Sequence, residues 1–452
     1  MLDKETIIKC SKDAEELSMQ FLNDYWKNRE KIFPINPFDM LNFLKVHYIF
    51  RKFDNIEGIY LPKKTYTDYD LVAINSNRKI TRQRFTAAHE MCHIIKDAKD
   101  NQIVCPTNSG EHIEKFADSF AASLLMPKDE LRKQIDARVE NNKSLTLDDV
   151  LLISNYFGTS FISCFYRIRN IFPYDLEYKD KEQLQKYKPD RKRKEFEITE
   201  IELYYDLFNS WNDILFGVAD EFSKQVFKHK YVYNDARLEG VDASYEEVSE
   251  IVEDLYCNRI KSKYCDETHE SYCNIAGHAA LYDYVYKEYK SSKIDIYLLS
   301  TLNKILYSCA PNPEYGGNTR TTNTLVLGTK FETVDWKDIM PELEKLKDDV
   351  DLVINNYANV SRKELIKKIA FIHHRITQIH PFPDGNGRTS RAFMNILLLH
   401  IGLLPIFVEI EGKSIYYSAL ECADRGNLEP LEQYIMKELI GSHIELYSDK
   451  GI

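Results

Sequence analysis

The chemistry this chain can do is concentrated in two short runs. Arg84-Phe-Thr-Ala-Ala-His89-Glu90-Met91-Cys92-His93 sets two imidazoles one helical turn apart, where both can reach one zinc ion. Glu90, on the same turn, is placed to take a proton from metal-bound water, which makes hydrolysis the chemistry on offer. The third ligand has to come from elsewhere, because Lys96 and Lys99 occupy the places where the extended motif would carry its Gly and third His. Glu114, on the next expected helix, supplies a carboxylate oxygen. Asp118, one turn further, can accept the second ring proton of a ligating His and so hold its orientation.

The second run is His380-Pro-Phe-Pro-Asp384-Gly385-Asn386-Gly387-Arg388-Thr-Ser-Arg391, opening an expected helix from Thr389 to Leu399. Gly and Asn alternating at a helix start let consecutive backbone N–H groups face one anion, and the helix dipole adds to the attraction. Gly385, Asn386 and Gly387 therefore read as a phosphate cradle. Arg388 and Arg391 offer guanidinium forks to the outer phosphates of a nucleotide. Asp384 brings the hard oxygen that Mg²⁺ prefers. A neutral imidazole at His380 can take the proton of a Ser, Thr or Tyr hydroxyl, which then attacks phosphorus in line.

Positioning these runs takes two folded regions, since 452 residues exceed what one hydrophobic core usually serves. The stretch 172–200 is dense in charge and broken by Pro173 and Pro189, and it reads as a solvated linker. Before it, Asp70 to Ser76 is a short β-type run, Gln83 to Ile95 and Glu111 to Met126 are helical, and Leu147–Phe157, Gly158 and Phe161–Arg169 form a helix-turn-helix outline. Its second helix carries few basic residues, so packing explains it better than DNA recognition. Beyond the linker nearly everything reads as helix, except the Thr-rich, Gly-bounded run Gly316–Gly328, which suits a hairpin. The formal charge of −11 argues against a nucleic-acid or anionic-lipid partner. Met-Leu-Asp-Lys-Glu is not a secretory start, and the longest apolar stretch, 396–408, is interrupted by His400 and Pro405. A cytoplasmic, soluble protein is the expectation, and nine cysteines without a Cys-x-x-Cys pair fit free thiols there.

On Arg84–Glu90, the helix Glu114–Pro127 and the trailing helical pair, residues 20 to 170 resemble the ImmA/IrrE peptidase family. That resemblance implies a zinc-dependent endopeptidase cleaving a partner repressor. On the complete run His380–Arg391, residues 200 to 445 resemble the Fic family. This implies AMP transfer from ATP to a protein hydroxyl, with His380 as base, Asp384 as Mg²⁺ ligand and Asn386 positioning phosphate. Kinase-like relatives lack the second Gly of the cradle, so Gly387 favours nucleotidyl transfer. The hairpin near Thr321–Leu327 corresponds to a flap that guides the target segment, and Tyr416-Tyr417 stand where family members contact nucleotide. Tyr233-Asn-Asp235-Ala-Arg237-Leu-Glu239-Gly240 resembles an inhibitory helix of one Fic subgroup, with Asp235 where that subgroup has Ser or Thr. Glu239 would then pair with Arg391 and block the γ-phosphate.

The expected architecture is mainly α: an α+β zinc-peptidase-like domain over 1–171 with a small antiparallel sheet, a charged linker over 172–200, and an all-helical Fic domain over 201–452 with a β-hairpin flap. The expected function is an autoinhibited protein adenylyltransferase fused to a zinc endopeptidase. The alternative is a repressor-cleaving peptidase with the Fic half as its regulatory or sensing module.

Overall fold

Leu71-Val72-Ala73-Ile74-Asn75 is buried along its whole length, as a near-continuous apolar run at the centre of a covered sheet has to be. The computed structural model describes residues 12–63, 68–97, 103–106, 112–139, 144–176, 181–211, 221–256, 270–291, 293–310, 313–325 and 332–449. The chain divides into two compact units, Met1–Asn212 and Asp213–Ile452.

In the first unit, helices α1 (Ala14–Trp26) and α2 (Pro37–Phe43) precede strands β1 (His47–Arg51), β2 (Ile56–Leu61) and β3 (Leu71–Asn75). Helix α3 (Ile80–Cys92) continues as a π-helical turn, His93–Asp97, before β4 (Ile103–Pro106), α4 (His112–Leu125), α5 (Lys128–Asp136), α6 (Leu147–Phe157) and α7 (Phe161–Ile171). The sheet order is β1-β3-β2-β4. β2 runs antiparallel to β3 and β4, as expected, but β3 runs parallel to β1, so the sheet is mixed rather than purely antiparallel. The cause is the 52–55 connection, which crosses the end of β3 instead of folding β2 onto β1. Asn75 holds it there, its Nδ2 donating to Phe53 O at 2.9 Å and Ile56 O at 2.7 Å.

Helix α6 starts on a Thr146/Asp149 capping box and ends at Gly158 in the left-handed region, and Ser160 caps α7. The inward faces of α6 and α7 share one buried cluster with Leu131 and Ile135, which makes the pair a packing element. The stretch read as a linker is instead partly helical, with α8 (Lys181–Lys186) and α9 (Pro189–Glu195). Tyr187 stacks on Phe161 and donates to Asp148 at 2.8 Å, and Arg193 pairs with Glu200 at 3.1 Å. α10 (Ile201–Ser210) also belongs to the first unit: Asn36 and Asn42 donate to Asp206 O and Ser210 O at 3.1 and 2.5 Å, and Trp211 meets Phe50. The division therefore falls after residue 212, not between 172 and 200. Charge density misled because several of those charges pair locally, Lys186 with Glu182, Lys192 with Glu195 and Arg193 with Glu200, while Ile201, Leu203, Leu207 and Phe208 turn inward.

The second unit is helical: α11 (Glu221–Leu238), α12 (Tyr245–Tyr256), α13 (Glu270–Glu288), α14 (Leu298–Leu306), α15 (Ile339–Glu344), α16 (Lys347–Asn355), α17 (Arg362–Ile379), α18 (Asn386–His400), α19 (Lys413–Asp424) and α20 (Glu429–Asp449). α18 is the hub, packed by α13, α14 and α17 and buried at nearly every position from Asn386 to Leu399. Among the described residues no helix is long and apolar enough to cross a membrane.

Candidate functional site

Both motifs hang on the most enclosed helix of their unit. In α3, Arg84 is fully buried and donates to Gly158 O at 3.1 Å and Ile35 O at 2.5 Å, which ties the helix to the α6–α7 corner and sets where its last turn points. That turn carries His89 and Glu90, and the π-helical turn opens with His93. Glu114 and Asp118 come from α4, which packs against α3.

His89 Nε2 lies 3.2 Å from His93 Nε2 and 3.2 Å from Glu114 Oε2, and His93 Nε2 lies 3.6 Å from Glu114 Oε1. Donors bound to one tetrahedral zinc at about 2.0–2.1 Å stand about 3.4 Å apart. The three side chains thus outline one face of such a polyhedron, and the donor set fits the metal. Asp118 Oδ1 accepts from His89 Nδ1 at 2.9 Å, orienting the ring. Burial lowers the His89 pKa, but the Asp118 and Glu114 carboxylates outweigh it and raise the pKa to about 9. Surroundings that stabilise positive charge this strongly suit a divalent cation.

Glu90 is fully buried against β2. The approach depends on Gly58, where a Cβ would lie 2.5 Å from Glu90 Oε1 and 2.6 Å from Thr86 Cγ2. Gly58 was not singled out in the sequence, because an isolated Gly in a strand run signals close approach without saying to what.

In the second unit, α17 ends at His380, whose backbone is left-handed at φ 52°, ψ 60°, an uncommon state for a residue with a Cβ. Burial lowers the His380 pKa, the Arg320 charge assists, and the Thr377 main chain and Asp384 oppose. The imidazole is therefore neutral near pH 7. Asn386 staples the intervening loop, accepting from Phe382 N and donating to Phe382 O, each at 2.8 Å. Gly385 has φ +77°, and a Cβ there would press on Leu306 at 2.9 Å and on Asn303 and Tyr307 at 3.1 Å. Gly387 sits in the first turn of α18 beside Arg391.

Asp384 is engaged through Oδ2 by Tyr307 and, at 3.1 Å, by Arg388. These partners, against the opposing effect of burial, hold its pKa below the usual carboxylate value. With 73% of its side chain exposed, this ionised oxygen donor fits Mg²⁺ whose other ligands are phosphates and water. Asn303 on α14 supports the loop from behind, with Nδ2 3.1 Å from both Asp384 O and Thr389 Oγ1.

Arg391 is held by two carboxylates of α11 and its C-terminal turn. Nε donates to Asp235 at 2.6 Å and Nη2 to Glu239 at 3.0 Å. Asp235 is 5% exposed, whereas the Glu239 side chain is 31% exposed. Burial works against the Arg391 charge, but the two carboxylates hold its pKa well above the ordinary value. Glu239 also approaches Arg388 Nε at 3.8 Å. The residue read as a departure from the inhibitory motif thus makes the shorter, more buried contact. Its signal was available in the spacing, since positions four apart share a helix face. Tyr416 is buried with Oη 2.7 Å from His373 Nε2, and Tyr417 is 41% exposed.

The expected hairpin, 316–328, is described only as far as residue 325; this part and the segment 332–336 beyond it form two legs joined through side chains: Thr333 Oγ1 donates to Thr324 O at 2.6 Å, and Asn323 bonds Asp335 at 3.0 Å and Trp336 N at 2.8 Å. No strand is assigned to the legs among the described residues, and 326–328, the rest of the expected hairpin, lie outside them.

Residues 293–398 match the Fic/DOC family, and residues 44–169 match the IrrE N-terminal-like domain. The chain joins a Fic domain to an IrrE-like, peptidase-type domain. It is similar to a Caenorhabditis elegans protein adenylyltransferase, fic-1, with 33% identity over 126 residues, 28% of this chain and 23% of that protein. It is also similar to an Aedes aegypti protein adenylyltransferase, Fic, with 40% identity over 70 residues, 16% of this chain and 14% of that protein. The chain thus spans under a quarter of the length of these relatives. A solved structure of C. elegans Fic-1 (residues 134–508) aligns with 73% of this chain and 88% of its own at 17% identity and a TM-score of 0.45.

Proposed function

We propose that the second unit is a protein adenylyltransferase, moving AMP from ATP to a Ser, Thr or Tyr hydroxyl of a target protein, and that Asp235 and Glu239 hold it in check. The observation that carries this reading is the single loop that sets a neutral His380, an ionised Asp384 and the N-terminus of α18 side by side. Relatives named as adenylyltransferases over the matching stretch support it.

Backbone N–H groups of 386–388 and the Arg388 guanidinium cradle the phosphates. Asp384 would hold Mg²⁺, which neutralises charge on the phosphate oxygens when bound. His380 takes the proton from the target hydroxyl as its oxygen attacks the α-phosphorus. The bond to the β-phosphate bridging oxygen breaks, and pyrophosphate leaves. Arg391 serves the outer phosphate once Asp235 and Glu239 let it go.

The first unit, on this reading, is a zinc endopeptidase. His89, His93 and Glu114 would hold zinc, Asp118 orients His89, and Glu90 takes a proton from the attacking water; the metal supplies acidity to that water. A second reading, with proteolysis of a repressor-type partner as the working activity and the Fic unit as its sensor, is favoured by one contrast: the zinc donors converge while Arg391 is already engaged. Intact-mass measurement of the full chain after incubation with ATP and Mg²⁺ tests the main reading. Modification by AMP in Glu239→Gly and none in Glu239→Gly/His380→Ala is expected; adducts independent of His380 would refute it.

A further inference from the structure

Arg320 is 4% exposed, yet its guanidinium bonds main-chain carbonyls rather than a carboxylate. Nε donates to His380 O at 2.8 Å, Nη2 to Ile379 O at 3.2 Å and to Val334 O, and Nη1 to Thr322 O at 2.8 Å. Its own N–H donates to Pro381 O at 2.9 Å. A buried guanidinium is tolerated only when its donors are met, and burial here pulls its pKa down. The fork shape, not charge pairing, is what selects Arg at this place.

The acceptors fall in two groups. Ile379 O and His380 O are carbonyls at the C-terminus of α17, where helical partners run out, and with Pro381 O they flank the residue held in a left-handed backbone. Thr322 O and Val334 O belong to the two legs of the flap. By contrast, the phosphate cradle is fastened by other residues, Asn303 and Asn386.

We infer that Arg320 is a positioning residue which locks His380 and the two flap legs into one register, so that the base and the flap move together or not at all. This rests on the adenylyltransferase reading for its consequence in catalysis, but the coupling itself is a property of the chain.

The test is hydrogen exchange and nucleotide binding on the full chain carrying Arg320→Gln or the milder Arg320→Lys, with Glu239→Gly as the common background. In Arg320→Gln, peptides spanning 376–383 and both flap legs exchange faster together, by about tenfold or more. α18 keeps its protection and ATP affinity stays within about twofold, because the cradle has its own fastenings. Arg320→Lys, with fewer donors, falls between. AMP transfer in Arg320→Gln drops about a hundredfold through kcat, with the ATP KM held, as misplacement of a base does. Faster exchange confined to one of the two segments, or spread equally through α18, would overturn the coupling. Unchanged transfer with both segments loosened would overturn the catalytic consequence. Exchange and ATP binding are read whether or not the parent transfers AMP, so failure of the adenylyltransferase reading is told apart from failure of this one.

Discussion

The two sites use charge in opposite ways. In the first unit, carboxylates and imidazoles crowd together around a point where positive charge is favoured, and His89 is pushed up to about 9 as a consequence. In the second, the cation an outer phosphate would want, Arg391, is already met by Asp235 and Glu239. On the proposed reading, one site accepts a cation, and in the other the chain's own carboxylates stand in for part of a nucleotide's charge. A buried ion pair adds little net stability because desolvation offsets attraction, so the Arg391 clamp is better understood as a choice between partners than as a fold-stabilising device.

The largest effect is expected at the metal. The full chain is expected to carry about one equivalent of zinc, and His93→Ala to lose it while staying folded, read by elemental analysis and circular dichroism. A wild-type chain purified without chelators and free of zinc would remove the first half of the contrast. Next, in the Glu239→Gly background, His380→Ala should lower AMP transfer by about 10²–10⁴-fold while ATP still binds, since only the base is gone.

The clamp itself gives the third effect. Glu239→Gly removes the more exposed carboxylate and leaves Asp235 in place, so transfer should rise about tenfold, and adding Asp235→Ser should raise it about tenfold again, each step on the scale of one charge-assisted bond. With Arg391→Ala the releases should collapse, because all three residues act on one interaction. A double variant no faster than Glu239→Gly would make Asp235 a packing residue only. Fourth, Gly58→Ala drives a methyl towards Glu90; a loss of about 1–3 kcal/mol in stability or a displaced Glu90 with reduced proteolysis is expected, measured by urea unfolding and by peptide cleavage.

The smallest effect is with pH. His278 and His373 are fully buried, which, with the nearby arginine charges, pulls each down to about 3 from 6.5. Between those values the unfolded chain binds protons that the folded one does not, so stability is lost as pH falls below 6.5, with a limiting slope of about 1.4 kcal/mol per pH unit for each group. Replacing His278 by Gln should flatten the decline in melting temperature from pH 7 to 5.

What was legible in the sequence was whatever chemistry is compressed into neighbouring residues. His89, Glu90 and His93 share one turn and a half, and Asp384 to Arg391 share one helix start, so type and spacing marked them as groups, and the structure brings His89 and His93 to Glu114 and Asp384 to Arg388. Glu114 and Asp118 were legible because they too lie one turn apart on a single helix. The parallel β1–β3 pairing was not, because it depends on a buried Asn75 amide catching a loop about twenty residues earlier. Nor was the allegiance of α10, which is settled by amides of Asn36 and Asn42 over some 170 residues of chain. Asn303, Tyr307 and Arg320 reach the His380–Asp384 loop from sixty to eighty residues away through backbone or carboxylate oxygens, and nothing in local periodicity marks a residue for that.

On the proposed reading, Arg391, withheld by Asp235 and Glu239, separates a quiet chain from an AMP-transferring one. The most direct measurement adds α-labelled or γ-labelled ATP with Mg²⁺ to a lysate containing wild type, Glu239→Gly or Asp235→Ser/Glu239→Gly. Label from α-labelled ATP should appear on protein and rise in that order, with no γ-label above that of the lysate alone. γ-label that rises with the added chain, or equal α-label incorporation by all three chains, would contradict it.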